Sequence, residues 1–201
     1  ESLDPATKIW GSMENSLLSS ASFEGHLNVV KWLVEYAKEI QVAGIPQKAL
    51  NPAAESGKIE IMKYLVEAGA DIHHNNESAM RSAAIRCRLE ALKYLVESGA
   101  DIHIDTEKII RDSFTSRNYS VVKFLVEAGA DVTVVDNNLL FNAVERNELD
   151  MIKLFVEAGA DVNSRDNYAL ITSAVRSGNL ETVKYLVEAG ATRLVSGSAL
   201  F

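Results

Sequence analysis

Four histidines, one cysteine and 28 carboxylates are the residues of this 201-residue chain that could carry chemistry. His73 and His74 are adjacent, His103 follows His73 by 30 residues, and His26 stands apart. Thirty residues is also the period of an internal repeat. Equivalent positions in stacked repeats lie roughly 8–10 Å apart, whereas ligands of one metal must each sit within about 2 Å of it. These histidines are therefore expected in solvated turns, with no metal bound. Cys87 has no histidine near it in sequence and falls at a helix end, where a thiol is a small packing group or an exposed side chain and not a nucleophile. No Gly-x-Gly-x-x-Gly and no Gly-Lys-Ser or Gly-Lys-Thr cradles a phosphate. No catalytic residue, cofactor or metal is expected.

The carboxylates follow the repeat. Asp71, Asp101, Asp131 and Asp161 each close a Gly-Ala-Asp triplet, while Glu67, Glu97, Glu127, Glu157 and Glu188 each come four residues after a lysine. The second spacing predicts Lys–Glu pairs on one solvated helix face, worth a few tenths of a kcal/mol each, or ~0.2–0.5. Trp32, Tyr64, Tyr94, Phe124 and Tyr185 form an aromatic column, read as packing between helices in preference to a platform for bases. The net charge is −8 and the pI near 5.1. That balance argues against nucleic acid, whose phosphates are bound by concentrated Lys and Arg.

A hydrophobic share of 47% and a charged share of 24% are those of a soluble globular chain. No apolar run approaches the length of about 18 residues that spans a membrane, and one cysteine makes no internal disulfide. The chain opens neither on Met nor on a charged-then-apolar leader. A trimmed chain is expected, from a reducing intracellular compartment, cytoplasmic with the nucleus as alternative. The sequons at Asn76 and Asn118 would matter only in a secreted chain.

The elements that position these residues repeat six times. Gly-Ala-Asp recurs at Gly69, Gly99, Gly129 and Gly159 and returns as Gly190-Ala191-Thr192. Each unit holds two short helical patterns. After Asp71, Ala79, Met80, Ala83 and Ala84 share one face of a first helix, and Leu89, Leu92, Leu95 and Val96 form the stripe of a second. Between them lies a breaker, glycine at Gly25, Gly57 and Gly178, where a left-handed backbone ends the first helix. The Asp of each triplet is placed to accept from backbone amides of the following turn. Helices of about ten residues do not persist alone in water, so each must bury its stripe against neighbouring units.

These residues carry a family resemblance. Paired short helices, Gly-Ala-Asp after Leu-Val-Glu, and Gly25-His26-Leu27-Asn28-Val29-Val30-Lys31-Trp32-Leu33 resemble the ankyrin repeat, over roughly Ser16 to Thr192. The family's period is about 33 residues and its Thr-Pro-Leu-His signature is missing here; the matching positions read Ser78-Ala79-Met80-Arg81 and Asn138-Leu139-Leu140-Phe141. The 30-residue period resembles the compact repeats of ankyrin proteins of large DNA viruses. The resemblance implies an all-α ankyrin-repeat solenoid of about six helix-turn-helix units with short fingers. Asn163 is similar to the asparagine that is hydroxylated in some members.

Units are expected near 15–40, 41–70, 71–100, 101–130, 131–160 and 161–191, with helix pairs near 15–37, 47–68, 77–98, 107–128, 137–158 and 168–189. Residues 1–14 read as an N-terminal cap or remnant, and 192–201 as a C-terminal cap or the start of a further repeat. The fourth unit is irregular: Ser113 and Phe114 replace a small pair, and Arg117 holds the breaker position. A larger residue there must push the first helices apart or find a pocket.

The resemblance implies a non-catalytic protein-protein interaction module, with a concave surface built from fingers and first-helix ends. These positions vary between units while the framework does not. Carried over, the partner-binding residues are His74, Ile85, Arg86, Ile104, Asp105, Thr115, Ser116, Val134, Val135, Glu145, Arg146 and Arg176. Ile85, Ile104, Val134 and Val135 would form an apolar centre, and Arg86, Arg146 and Arg176 anchors for carboxylates. The expected partner is a protein or peptide, without nucleic acid or membrane, and the chain a monomer. An adaptor's target-binding part is one version; a structural scaffold or spacer is the alternative.

Overall fold

A computed structural model describes residues 16–42, 44–133, 138–163 and 174–191. The expectations for 1–14, Val134, Val135 and 192–201 lie outside the described residues, as does the start of the sixth unit's first helix. Among the described residues all regular structure is helical, as the fold class requires. The chain divides into two compact units, Glu1–Asp105 and Thr106–Phe201.

The first unit holds α1 (16–24), α2 (Leu27–Glu39), α3 (Ile45–Ser56), α4 (Ile59–Glu67), α5 (His74–Ile85) and α6 (Leu89–Glu97). Within it α3 packs on α4 and α5, α2 on α3 and α4, and α6 on α4 and α5. The second holds α7 (Thr106–Thr115), α8 (Tyr119–Glu127), α9 (Asn138–Glu145), α10 (Leu149–Glu157), helical residues 174–176 (α11) and α12 (Leu180–Glu188). Here α7 packs on α8, α9 on α10, and α10 on both α8 and α12.

The same stripe is buried each time. Ile61, Met62 and Leu65 of α4 recur as Ala91, Leu92 and Leu95 of α6, Val121, Val122 and Leu125 of α8, and Met151, Ile152 and Phe155 of α10. Each leucine-sized side chain contributes about 1.5–3 kcal/mol of burial, which offsets the ordering cost of helices too short to stand alone. Every breaker position is left-handed, including three that are not glycine: Cys87 (φ 54°), Arg117 (φ 60°) and Asn147 (φ 57°).

Phe114 finds a pocket. It is almost fully buried, edge-on to Phe155 at 5.6 Å between centroids and tilted against Tyr119 at 5.8 Å. The Arg146 guanidinium lies 5.0 Å from its ring centre. The cost shows at Ser113, whose buried Oγ finds no partner among the described residues.

Two expectations about the second helices need correction. In α4 and α6 the lysine reaches back a turn, Lys63 to Glu60 at 3.0 Å and Lys93 to Glu90 at 2.8 Å, and not forward to Glu67 or Glu97. Among the described residues the expected spacing forms only where Ser120 replaces the first-turn glutamate, between Lys123 and Glu127 at 3.7 Å. A first-turn carboxylate also meets the positive end of the helix dipole, which favours the backward pairing. In the aromatic column, Tyr64, Tyr94, Phe124 and Tyr185 are half-buried, but Trp32 is 61% exposed and stacks on Tyr36, with centroids 5.4 Å apart and planes at 9°.

Candidate partner-binding surface

The turn after each Gly-Ala-Asp is built as the sequence implied. Oδ1 of Asp71, Asp101, Asp131 and Asp161 accepts from the backbone amide two residues on, His73 at 2.9 Å, His103 at 2.9 Å, Thr133 at 2.8 Å and Asn163 at 2.7 Å. Such Asx turns satisfy a loop amide locally and set the direction of the chain into the next helix. The Asp71 amide in turn donates to Oε1 of Gln47 at 2.6 Å, which ties this turn to α3.

In the first unit the turn continues through three left-handed residues, Asn75, Asn76 and Glu77 (φ 52–58°). Two side-chain contacts hold this costly backbone. Arg81 on α5 donates to the Asn75 carbonyl at 3.1 Å and to Asp105 Oδ2 at 2.5 Å. Beneath it, Glu77 is fully buried, with Oε1 2.6 Å from His73 Nδ1 and Oε2 without a hydrogen-bond partner among the described residues. The hydrogen bond to Glu77, and then its charge, raise the pKa of His73.

The candidate binding residues separate into distinct environments. His74 is exposed, and its carbonyl accepts from Ser78 Oγ at 3.2 Å. Ile85, at the last turn of α5, is 57% exposed. Arg86 is not an open anchor: its Nε and one terminal nitrogen reach Glu55 Oε1 at 2.8 and 2.6 Å. Arg88 adds a bond to the Glu55 carbonyl at 3.2 Å. Ile104 is half-buried, beside the buried Ile102, so it does not add an open apolar side chain. Asp105 is held by Arg81.

In the second unit Thr115, Ser116, Glu145, Arg146 and Arg176 are all exposed. Arg146 nonetheless spends its guanidinium on Phe114, over the ring and with a 3.2 Å bond to the carbonyl. Two of the three arginines expected as carboxylate anchors are thus partnered from within. Sequence reading missed the roles of Arg81 and Glu77, and it placed Glu55 at a first-helix end without its pairing to Arg86. For Glu77 a signal existed, the His73–Glu77 spacing of four; for the Glu55–Arg86 pair, 31 residues apart, there was none.

Phe23, another first-helix end residue, is 43% exposed, so the column of equivalent positions Phe23, Glu55 and Ile85 carries two apolar side chains around a charged pair. Among the described residues no group of three or more His, Cys, Asp or Glu is placed to hold a metal ion. No described helix is long and apolar enough to cross a membrane.

A family model for ankyrin repeats (3 copies) matches residues 17–106 and 113–194. No curated protein matches the chain. Among solved structures, the ankyrin repeat domain of Bcl-3, a member of the IkappaB protein family, is similar at 26% identity and a TM-score of 0.65, over 86% of this chain and 85% of that one. The human ASB11 ankyrin repeat domain is similar in fold, at 19% identity and a TM-score of 0.61, over 90% of this chain and 86% of that one. Matched in both of its compact units, the chain belongs to the ankyrin repeat family.

Proposed function

We propose that this chain is a non-catalytic recognition module that grips a protein or peptide with its first-helix ends and fingers. Ankyrin repeat domains are generally protein–protein interaction modules. The observation that carries the reading is the Ile85 edge: an apolar side chain 57% exposed at the last turn of α5, the helix whose opening turn is fixed by Arg81, Asp71 and Gln47. A surface already ordered before binding loses little conformational entropy when it binds. Because Arg86 pairs with Glu55, the recognition chemistry at the Ile85 edge is an apolar contact beside a neutralised charge, in place of an arginine cluster seeking carboxylates. Thr115, Ser116, Glu145 and Arg176 are the second unit's contributors. A cytoplasmic adaptor is the version of this reading in which a further segment recruits other machinery; the single cysteine and the acidic charge support a reducing compartment without nucleic acid as ligand.

The experiment is quantitative capture from a cell lysate by the immobilised chain, compared with Ile85→Asp and with Lys63→Ala as a control on a second helix. Ile85→Asp is expected to lower capture of a specific protein about tenfold, the loss of one anchor worth about 1.4 kcal/mol. The control is expected to leave it unchanged. Equal capture by the wild-type chain and Ile85→Asp would remove the Ile85 edge from the site.

A further inference from the structure

The aromatic column of the second helices is interrupted once. Trp32, Tyr64, Tyr94, Phe124 and Tyr185 stand at one position of the repeat, and α10 carries Leu154 there. At that point a cleft of about 460 Å³ opens between α8 and α10, with Lys123 and Glu127 on one wall and Met151 and Leu154 on the other. Both walls belong to one compact unit, and each has a further neighbour, α7 on α8 and α12 on α10. The opening thus comes from a shorter side chain inside the array and not from an end of it.

Two other helix pairs show what the same frame holds. Lys31 Nζ of α2 lies 5.6 Å from the ring centre of Tyr64 on α4, and Glu35, one turn on, accepts from the Tyr64 hydroxyl at 3.0 Å. Lys153 Nζ of α10 lies 5.8 Å from the ring centre of Tyr185 on α12, whose pKa is raised by desolvation and then by the charge of Glu157. In both pairs a lysine covers a tyrosine ring of the next second helix and a glutamate stands near its hydroxyl end. Lys123 and Glu127 are the equivalents on α8. In the first turn Ser120 of α8, like Asn28 of α2, is not a carboxylate to which the lysine can turn back. With Leu154 opposite in place of a ring, Lys123 meets Glu127 at 3.7 Å, both side chains more than half exposed. An exposed pair of this kind is worth little and is readily parted.

We propose that the cleft receives a tyrosine side chain of a partner protein, its ring beneath the Lys123 ammonium and against Leu154, its hydroxyl donating to Glu127. An ammonium over the ring face and a carboxylate at the hydroxyl are the complement of a phenol, and the chain itself joins α2 to α4 with that chemistry. A phenylalanine would leave the carboxylate without its donor. A phosphotyrosine would bring a dianion into a cleft where Glu127, Asp150 and Glu157 outnumber Lys123 and Lys153. A cavity on the order of 150 Å³ holds one benzene-sized ring. The larger cleft therefore has room for main chain on both sides of the tyrosine, which selects a peptide segment over a free phenol. The site lies on second helices of the second compact unit, so it is independent of the Ile85 edge on α5 of the first.

Titration of the whole isotope-labelled chain with acetyl-Gly-Gly-Tyr-Gly-Gly-amide, followed by backbone amide shifts, tests it. Saturable shifts around Lys123, Glu127 and Leu154 are expected, with a Kd of about 1–10 mM for a single anchoring side chain. The matching Phe peptide is expected to bind about fivefold more weakly, for one hydrogen bond lost. The phosphotyrosine peptide and para-cresol are each expected to bind more weakly than the Tyr peptide. Leu154→Tyr supplies the ring from within and is expected to abolish the shifts, while adding a phenol that titrates late as Tyr64 does. Glu127→Ala, at an exposed position that leaves the fold intact, is expected to erase the preference for Tyr over Phe. The proposal is overturned by a Tyr peptide that gives no saturable shifts at the cleft, by equal affinity for the Tyr and Phe peptides, or by a preference that survives Glu127→Ala. Undiminished binding to folded Leu154→Tyr overturns it too, as does para-cresol or the phosphotyrosine peptide binding as tightly as the Tyr peptide.

Discussion

His73 Nδ1 lies 2.6 Å from Oε1 of Glu77, a carboxylate with no solvent exposure at the start of α5. The hydrogen bond and then the charge of Glu77 raise the histidine's pKa above its ordinary 6.5, and Asp71 and Asp101 add to the effect. A raised histidine pKa means that the folded chain favours the imidazolium. The stability this supplies is fully present below pH 6.5 and is lost as pH rises through the elevated folded value. Urea midpoints are therefore expected to fall as pH is raised above 6.5. His73→Gln is expected to flatten that fall while leaving the transition slope unchanged. Parallel pH profiles for the two proteins would refute the role of the pair.

Arg117 at φ 60° occupies a backbone conformation that Gly57 occupies at φ 76° without a Cβ. The left-handed penalty for a side-chain-bearing residue is about 1–2 kcal/mol, partly offset because glycine loses more entropy on folding. Arg117→Gly is expected to stabilise the chain by about 0.5–1 kcal/mol, read as a rise in the thermal midpoint. Asn147→Gly is expected to gain nothing, because the Asn147 side chain accepts from Asn179 and, at 3.4 Å, from Thr182 Oγ1. The reverse change, Gly57→Ala, is expected to destabilise: its Cβ would meet Arg88 Cδ at 3.2 Å in addition to the backbone penalty. A lower midpoint for Arg117→Gly would show that the arginine side chain holds more than its backbone costs.

Phe114 fills the space that Ala54 and Ala84 leave small in the first unit, and it does so by packing against Phe155 and beneath Arg146. Phe114→Ala is expected to cost about 3–5 kcal/mol in chemical denaturation, the range for deleting a buried aromatic ring. Phe114→Leu is expected to cost less, since it keeps most of the volume. Because repeat stacks lose cooperativity when one unit weakens, the alanine variant is also expected to broaden the transition. A change below about 1 kcal/mol would mean that the pocket collapses around the smaller side chain.

What could be read from the sequence was local. The helix pairs, the left-handed breakers and the Asx turns of Asp71, Asp101, Asp131 and Asp161 depend on residues within one turn or one period, and among the described residues the structure has them where the spacing put them. The binding surface was less legible, because exposure there is decided by side chains a whole repeat away. Arg86 was read as an anchor, yet its partner Glu55 lies 31 positions earlier on another helix. Phe114 looked like a disturbance until Phe155, 41 positions later, supplied its pocket. The lysines of α4 and α6 turned toward Glu60 and Glu90, since both spacings place a carboxylate in reach and only the helix end distinguishes them.

Tyr64 offers an alkaline counterpart to His73. Desolvation first, and then the hydrogen bond and charge of Glu35, push its pKa from 10.0 up to about 12. The folded chain thus favours the neutral phenol, and this contribution is complete below pH 10 and lost as pH rises toward 12. Lys38, 3.1 Å from the same Glu35 oxygen, keeps that carboxylate charged and in place. In a titration of phenolate absorbance over the six tyrosines, one component is expected to appear late, and Tyr64→Phe is expected to remove it. Tyr119 and Tyr185 are raised as well, so the difference between the two curves, not the wild-type curve alone, identifies Tyr64. The same substitution is expected to reduce the loss of stability between pH 10 and 12, since it removes the group that must ionise. A difference curve centred near the ordinary tyrosine value of about 10 would show that the Tyr64–Glu35 bond between α4 and α2 does not persist in solution.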